Sequence, residues 1–260
     1  MRTMPGCLIV NADDWGRNIE TTDRIAECAV AGGVSAVSAM VFMADSERAA
    51  AIARERGIEA GLHLNFTTPF TATGLSADLV RCQQVVGRSL RRHRLAPFVF
   101  HPGLMRSFEY LVAAQRDEFR RLYGAYPRRL DGHHHMHLCA NVLLGRLMPA
   151  GTFVRRNFCF DAGEKSLVNR VYRRSVDRVL ARRHRLTDLF FSLAPLDPPS
   201  RIERICSLAS RLVVELETHP VERDEYRFLR GGELLRYLGG SRIVPPSAIH
   251  PQEPLTLAAS

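Results

Sequence analysis

No two of the six cysteines (Cys7, Cys28, Cys82, Cys139, Cys159, Cys206) form a C-x-x-C pair. That excludes a zinc ribbon and a thioredoxin-like redox centre, and a disulfide framework does not suit a chain of this size. Most of the cysteines therefore read as small buried hydrophobes. No apolar run approaches the roughly 20 residues that cross a bilayer. Met1 to Asn11 has neither a long apolar core nor a small-residue cleavage site, so the expected location is the cytoplasm, with no membrane span. Internal repeats are absent, and no linker divides the chain. Lysine is nearly missing: Lys165 is the only one among 36 basic residues, and the rest are arginine.

What remains is an ordinary globular composition. The chain has 260 residues, 46% hydrophobic and 24% charged, enough to bury a core without staples. One domain over 1–260 is expected, with 66–103 as a variable loop or insertion and 245–260 as a tail. The formal net charge is +9. Arginines cluster at Arg91-Arg92-His93-Arg94, Arg155-Arg156, Arg173-Arg174 and Arg182-Arg183-His184-Arg185. Such clusters suit either an acidic partner or a solvated surface. No recognised nucleic-acid module accompanies them, so a specific nucleic-acid partner is not expected.

Strand-like and helix-like segments alternate along the chain. Leu8-Ile9-Val10 reads as a strand buried on both faces. Thr21 to Ala31 reads as a helix capped by Thr21 or Thr22 and stopped at Gly32-Gly33. Further strands are expected at Val34–Phe42, Glu59–Asn65, Arg129–His133, Thr152–Val154, Asp188–Leu193 and Leu212–Glu217. Helices are expected at Glu47–Arg56, Ser107–Tyr123, Asn141–Met148, Ser166–Arg183, Ser200–Ser210 and within Asp224–Leu238. Six or seven such units predict an α/β fold whose parallel sheet forms a closed or nearly closed, distorted (β/α) barrel.

In such a barrel, residues just past the strand ends gather at one face. Asp13-Asp14 end the first strand and His63 lies in the third. Asp131-Gly132-His133-His134-His135-Met136-His137 follows the next, then Arg155, then His219-Pro220. Adjacent carboxylates repel unless a cation or a shared proton relieves them. One aspartate and two histidines can hold a divalent ion and leave positions open for water and substrate. A second carboxylate beside that water suits a general base, and a histidine across the pocket suits an acid for the leaving group. These parts fit hydrolysis of an amide or ester.

Asn11-Ala12-Asp13-Asp14-Trp15-Gly16 resembles the N-A-D-D-[FW]-G opening of the YdjC-like carbohydrate deacetylases, the family that includes chitooligosaccharide deacetylase. Gly61-Leu62-His63-Leu64, Leu130-Asp131-Gly132-His133-His134-His135-Met136-His137 and Thr218-His219-Pro220 resemble its later motifs, in the same order. The resemblance implies a distorted barrel like that of the NodB-type polysaccharide deacetylases and removal of an acetyl group from an N-acetylated sugar. It implies Asp14, His63 and His133 as ligands of a divalent ion, Mg²⁺ or Zn²⁺, with Asp13 as base and His219 as acid. Arg155 would orient the base or contact the N-acetylated saccharide. A homodimer is compatible with the sequence, which does not fix an oligomeric state. Two rival readings carry their own signatures. A metal-dependent phosphoesterase on a similar barrel would use H-x-H at the end of the first strand, where Asp13-Asp14 stand here. A basic nucleic-acid-binding protein would show steeply salt-dependent binding and no effect of chelator.

Overall fold

The computed structural model describes residues 6–160 and 163–249. Seven strands form one parallel sheet in the order β5-β4-β3-β2-β1-β7-β6. They are β1 (Cys7–Trp15), β2 (Ala36–Ala39), β3 (Glu59–Leu64), β4 (Arg129–Gly132), β5 (Phe153–Val154), β6 (Leu189–Ser192) and β7 (Val213–Thr218). The terminal strands β5 and β6 share no ladder. A single parallel bridge, Phe153 to Arg185, and a bond from the Cys159 N–H to the Phe190 carbonyl draw them together. The sheet thus curls into the distorted, incompletely closed barrel expected.

Helices cover its outside: α1 (Ile19–Val30), α2 (Ser46–Arg56), α3 (Ala77–Leu90), α4 (Met105–Tyr123), α5 (Ala140–Leu144), α6 (Leu167–Ala181), α7 (Pro199–Ala209), α8 (Arg223–Arg230) and α9 (Glu233–Tyr237). Among the described residues no helix is long and apolar enough to cross a membrane. Outward residues of the strands, such as Leu8, Val10, Ala12, Val37, Leu62 and Leu130, pack under the helices in the main core.

Local chemistry sets the element ends. Asn18, not Thr21 or Thr22, caps α1: its side chain accepts from the Thr21 N–H. Gly57 closes α2 with a left-handed φ of 65°. The last helical stretch breaks into α8 and α9 at Gly231-Gly232. The largest departure lies in 66–103, which contains the 14-residue α3 rather than a loop. Ser76 caps it by accepting from the Leu79 N–H. Its buried face, Leu79, Gln83, Val86, Gly87 and Leu90, includes a glutamine and a glycine, which hide the apolar period. Gln83 earns burial by donating to the Thr68 carbonyl at 2.7 Å. At Gly87 a Cβ would stand 2.8 Å from the Phe66 carbonyl oxygen, so the helix lies on backbone there. Of the expected tail, 250–260 lie outside the described residues, as do 1–5 at the other end.

Inside the barrel the residues sort by height. Cys7, Ile9, Ala36, Phe153 and Ile249 plug the bottom with apolar groups. Asn11, Ser38, Arg129, Arg155 and Glu215 form a buried polar layer above them. Asp13, Asp131 and Glu217 follow two residues later on β1, β4 and β7, because side chains on one strand face repeat every second residue, and His63 on β3 pairs in register with Asp131. Gly61 belongs to this packing. A Cβ at that position would lie 2.6 Å from Arg129 Nε, so the missing side chain is the space the guanidinium fills.

Candidate active site

Two adjacent residues of a regular strand point to opposite faces. Asp13 and Asp14 do not, because β1 carries a bulge there. Ala12 pairs with Val37 and Trp15 with Ala39, so three steps on β1 match two on β2. Asp14 takes a left-handed φ of 66°. That conformation is uncommon for a residue with a side chain and turns the second carboxylate inward beside the first. Both are almost fully buried.

Asp13 is held from several sides. Arg155 Nη1 donates to its Oδ2 at 2.7 Å and Nη2 to its Oδ1 at 2.8 Å. Asn11 Nδ2 donates to Oδ1 at 2.7 Å. Burial pushes the Asp13 carboxyl up, but the Arg155 charge, with His63, outweighs it and holds Asp13 well below the usual carboxylate range. Arg155 itself is fully buried. Its Nε donates to Glu215 Oε1 at 2.8 Å, its Nη2 lies 3.1 Å from Asp131 Oδ2, and its charge sits 4.9 Å over the Phe190 ring. All three nitrogens are committed to carboxylates. Of the two roles expected for Arg155, orienting the base fits this geometry; direct contact with a saccharide does not, since no part of the side chain reaches the surface.

Asp14, His63 and His133 offer donor atoms that all lie within 4.8 Å of one another. His63 Nδ1 donates to Asp131 Oδ1 at 2.8 Å, which fixes the tautomer and leaves Nε2 facing the two aspartates. Nε2 is 3.4 Å from Asp14 Oδ1 and 3.8 Å from Asp13 Oδ2. A carboxylate behind a ligating imidazole is the usual support of a metal-binding histidine. Asp131 is itself steadied by Ser38 Oγ at 2.5 Å. Asp14 Oδ1 lies 2.9 Å from His133 Nδ1, yet neither close nitrogen is aligned with it as a hydrogen bond. Asp14 Oδ1 and His133 Nε2 are both buried with no hydrogen-bond partner. Arg17 Nη1 holds the other oxygen, Oδ2, at 2.9 Å. Burial pushes His63 down, but Asp13 and Asp131 raise it to about 10. The carboxylates that favour a proton on that imidazole equally favour a cation at its edge. Orphaned buried ligand atoms, a fixed tautomer and excess negative charge together fit a divalent ion.

The histidine run is a tight turn. Gly132 permits it: a Cβ there would stand 2.9 Å from the His137 backbone nitrogen. His134 and His135 both adopt left-handed φ, 54° and 57°. The three histidines left unassigned by sequence have different surroundings. His134 Nδ1 contacts Thr67 Oγ1 at 2.9 Å. His135 packs edge-on to Phe158. His137 is fully buried, and its Nε2 donates to the Arg155 carbonyl at 3.0 Å. Burial holds His137 down at about 4, so the ring stays neutral as a structural tie.

His219 stands at the mouth, part exposed, with Nε2 3.8 Å from Glu217 Oε1. Glu225 positions its backbone by accepting from the His219 N–H at 2.8 Å. Glu217, Asp131, Glu215 and Arg129 were given no role from sequence. Glu217 is buried between Asp13 and His219. Burial, with the Asp13 charge, pushes it well above the usual carboxylate range. The sequence held one signal for it: a carboxylate two residues before a histidine, on the same strand face.

The pattern of the family described as YdjC-like protein matches residues 7–238. A carbohydrate deacetylase of Danio rerio is 31% identical over 144 residues, covering 52% of this chain and 43% of that protein. A chitooligosaccharide deacetylase of Serratia marcescens is 32% identical over 140 residues, 52% of each chain. The chain thus spans about half the length of the curated relatives it matches. In solved structures, a proposed cellobiose-phosphate cleavage protein of Enterococcus faecalis V583 superimposes with a TM-score of 0.66 at 18% identity, over 94% of this chain and 99% of that one. That likeness concerns the fold alone.

Proposed function

We propose, on the premise that this chain belongs to the YdjC-like protein family, that it is a metal-dependent hydrolase removing the acetyl group from an N-acetylated sugar or small oligosaccharide. The observation that carries the reading is the Asp14, His63 and His133 cluster with a clamped, ionised Asp13 beside it. Relatives named carbohydrate deacetylase and chitooligosaccharide deacetylase support the substrate class.

Asp14, His63 and His133 would hold the ion, whose chemistry when bound is to acidify a water and polarise the acetyl carbonyl. Two imidazoles and one carboxylate favour zinc over magnesium, which prefers oxygen ligands. Asp13 takes the proton from the attacking water. Its Oδ2 serves best, since Oδ1 already accepts from both Asn11 and Arg155 while Oδ2 accepts from Arg155 only and faces His63. Arg155 keeps the carboxylate ionised and aimed. His219, at the mouth, delivers a proton to the departing amine, and Glu217 and Glu225 fix where its ring stands. The six cysteines are all free thiols, which suits a reducing compartment such as the cytoplasm.

The test is acetate release from a panel of N-acetylated sugars and oligosaccharides. Metal-stripped protein is assayed first, then protein restored with Zn²⁺, Mg²⁺, Mn²⁺ or Co²⁺. Release that returns with metal supports the reading and names the ion. Full activity after stripping, or no metal bound under any condition, overturns it.

A further inference from the structure

Helix α6 turns inward with Val176 and Leu180 but leaves a second set of apolar residues outside. Leu167, Val168, Val171, Tyr172 and Val179 face solvent, with Val168 79% exposed. Arg170, Arg173, Arg174 and Asp177, spaced i, i+3, i+4 and i+7 on one face, line a cavity of about 390 Å³, with Asp177 buried, Arg170 and Arg173 half-buried and Arg174 exposed at its rim. That volume is in the range of small-molecule sites. The cavity lies between α6, α7 and the outer face of β6, on the far side of that strand from Asp13 and Arg155. Phe158, Phe160 and Phe191 supply its apolar wall.

Burying arginines against an apolar wall is costly unless each finds a counter-charge. Asp177 spends its hydrogen bonds away from the α6 arginines. Its Oδ2 is taken by Arg156, at 2.9 Å from Nη2, and its Oδ1 accepts from the Asn157 backbone and side chain. Arg170 Nε is buried without a hydrogen-bond partner. Arg173 stacks 5.1 Å over Phe160 and uses only Nε, on Asn169. Among the described residues Arg174 makes no ion pair. Three guanidinium groups therefore line one space, and Asp177, the carboxylate on the same helix face, is hydrogen-bonded to Arg156 and Asn157.

We propose that this cavity binds a phosphate group carried by an organic molecule. Several planar guanidinium forks suit the oxygens of a phosphate better than one carboxylate, and the phenyl rings take the attached organic part. The exposed side of α6 indicates where that group comes from. Phe98 packs on Tyr172 at 5.5 Å, and Leu95, Val99 and Phe100 are exposed beside it. The exposed Arg174 joins this outer apolar ridge to the cavity that it also lines, an arrangement that matches the headgroup region of an anionic bilayer, where the ridge enters the acyl boundary and the arginines meet phosphate. The source we expect is thus a phospholipid headgroup, with a soluble phosphoester as the other. The proposal does not depend on the acetyl hydrolase reading.

The experiment compares the full chain, R173Q/R174Q, and R227Q/R236Q, which removes the same charge from exposed positions on α8 and α9. Probes are vesicles of phosphatidylglycerol with phosphatidylcholine, vesicles of phosphatidylcholine alone, and soluble glycerol 3-phosphate by calorimetry. The expected result is a preference for anionic vesicles that falls about tenfold in R173Q/R174Q, the size of losing charge-assisted hydrogen bonds, and changes less than about twofold in R227Q/R236Q. Binding of glycerol 3-phosphate that needs Arg173 and Arg174, without vesicle preference, supports the phosphate site and assigns it a soluble ligand. Equal losses in both variants, or no arginine-dependent binding of any probe, overturn the proposal. Matching thermal midpoints show that the variants are folded.

Discussion

Replacing Arg155 tests the core of the candidate site most directly. The guanidinium makes two hydrogen bonds to Asp13 and one to Glu215, and lies 3.1 Å from Asp131. In Arg155→Met, Asp13 loses its counter-charge at a separation of about 4 Å. At an effective dielectric constant near 20 that interaction is worth about 4 kcal/mol, or about three pH units. His63 still faces Asp13 and recovers part of it. The acid limb of the kcat/KM profile for acetate release should therefore move up by about one to two units. Breaking a buried ion network by removing one partner costs about 3–5 kcal/mol, read from urea unfolding. Because a loss of that size threatens folding, Arg155→Lys is its companion. An ammonium keeps the charge and cannot span both Asp13 oxygens and Glu215. Its acid limb should stay within about half a unit while kcat falls about tenfold. A folded Arg155→Met enzyme whose acid limb does not move refutes the argument that Arg155 keeps Asp13 ionised.

Asp13→Asn should still bind one equivalent of metal by elemental analysis but lose turnover by about 10²–10⁴-fold, the usual worth of a positioned base; activity within threefold (~0.7 kcal/mol) removes Asp13 from that role. Gly61→Ala drives a methyl into Arg129 Nε and should destabilise the fold by about 1–3 kcal/mol in urea, and an unchanged midpoint would show that the arginine yields freely. His137 has its pKa depressed to about 4 from 6.5. Its contribution is fully present above pH 6.5 and disappears as pH falls toward 4, amounting to about 3 kcal/mol. His137→Gln should flatten that stretch of the stability curve, and a slope equal to wild type places the titration elsewhere.

Much of this protein could be read without coordinates, and the reasons are local. Alternating buried runs and amphipathic stretches come from neighbours in sequence, so the order of strands and helices, and with it the curled parallel barrel, follows from the chain itself. So do the ligand-type side chains, because strand ends meet at one face in any such barrel. Where the chemistry of a position depends on something distant, sequence was silent. The helix α3 was hidden because Gln83 and Gly87 are buried by partners, the Thr68 and Phe66 carbonyls, that no period reveals. Asp13 and Asp14 sit together in the sequence, but only the bulge against β2 and the left-handed turn at Asp14 bring both carboxylates inside. The surroundings of Arg155 and Glu217 also come from packing alone: the guanidinium is enclosed with Asp13, Asp131 and Glu215, and burial beside Asp13 raises the Glu217 carboxyl. The outward apolar residues of α6 belong to the same class, since a helical wheel shows which residues share a side and only packing decides which side faces in.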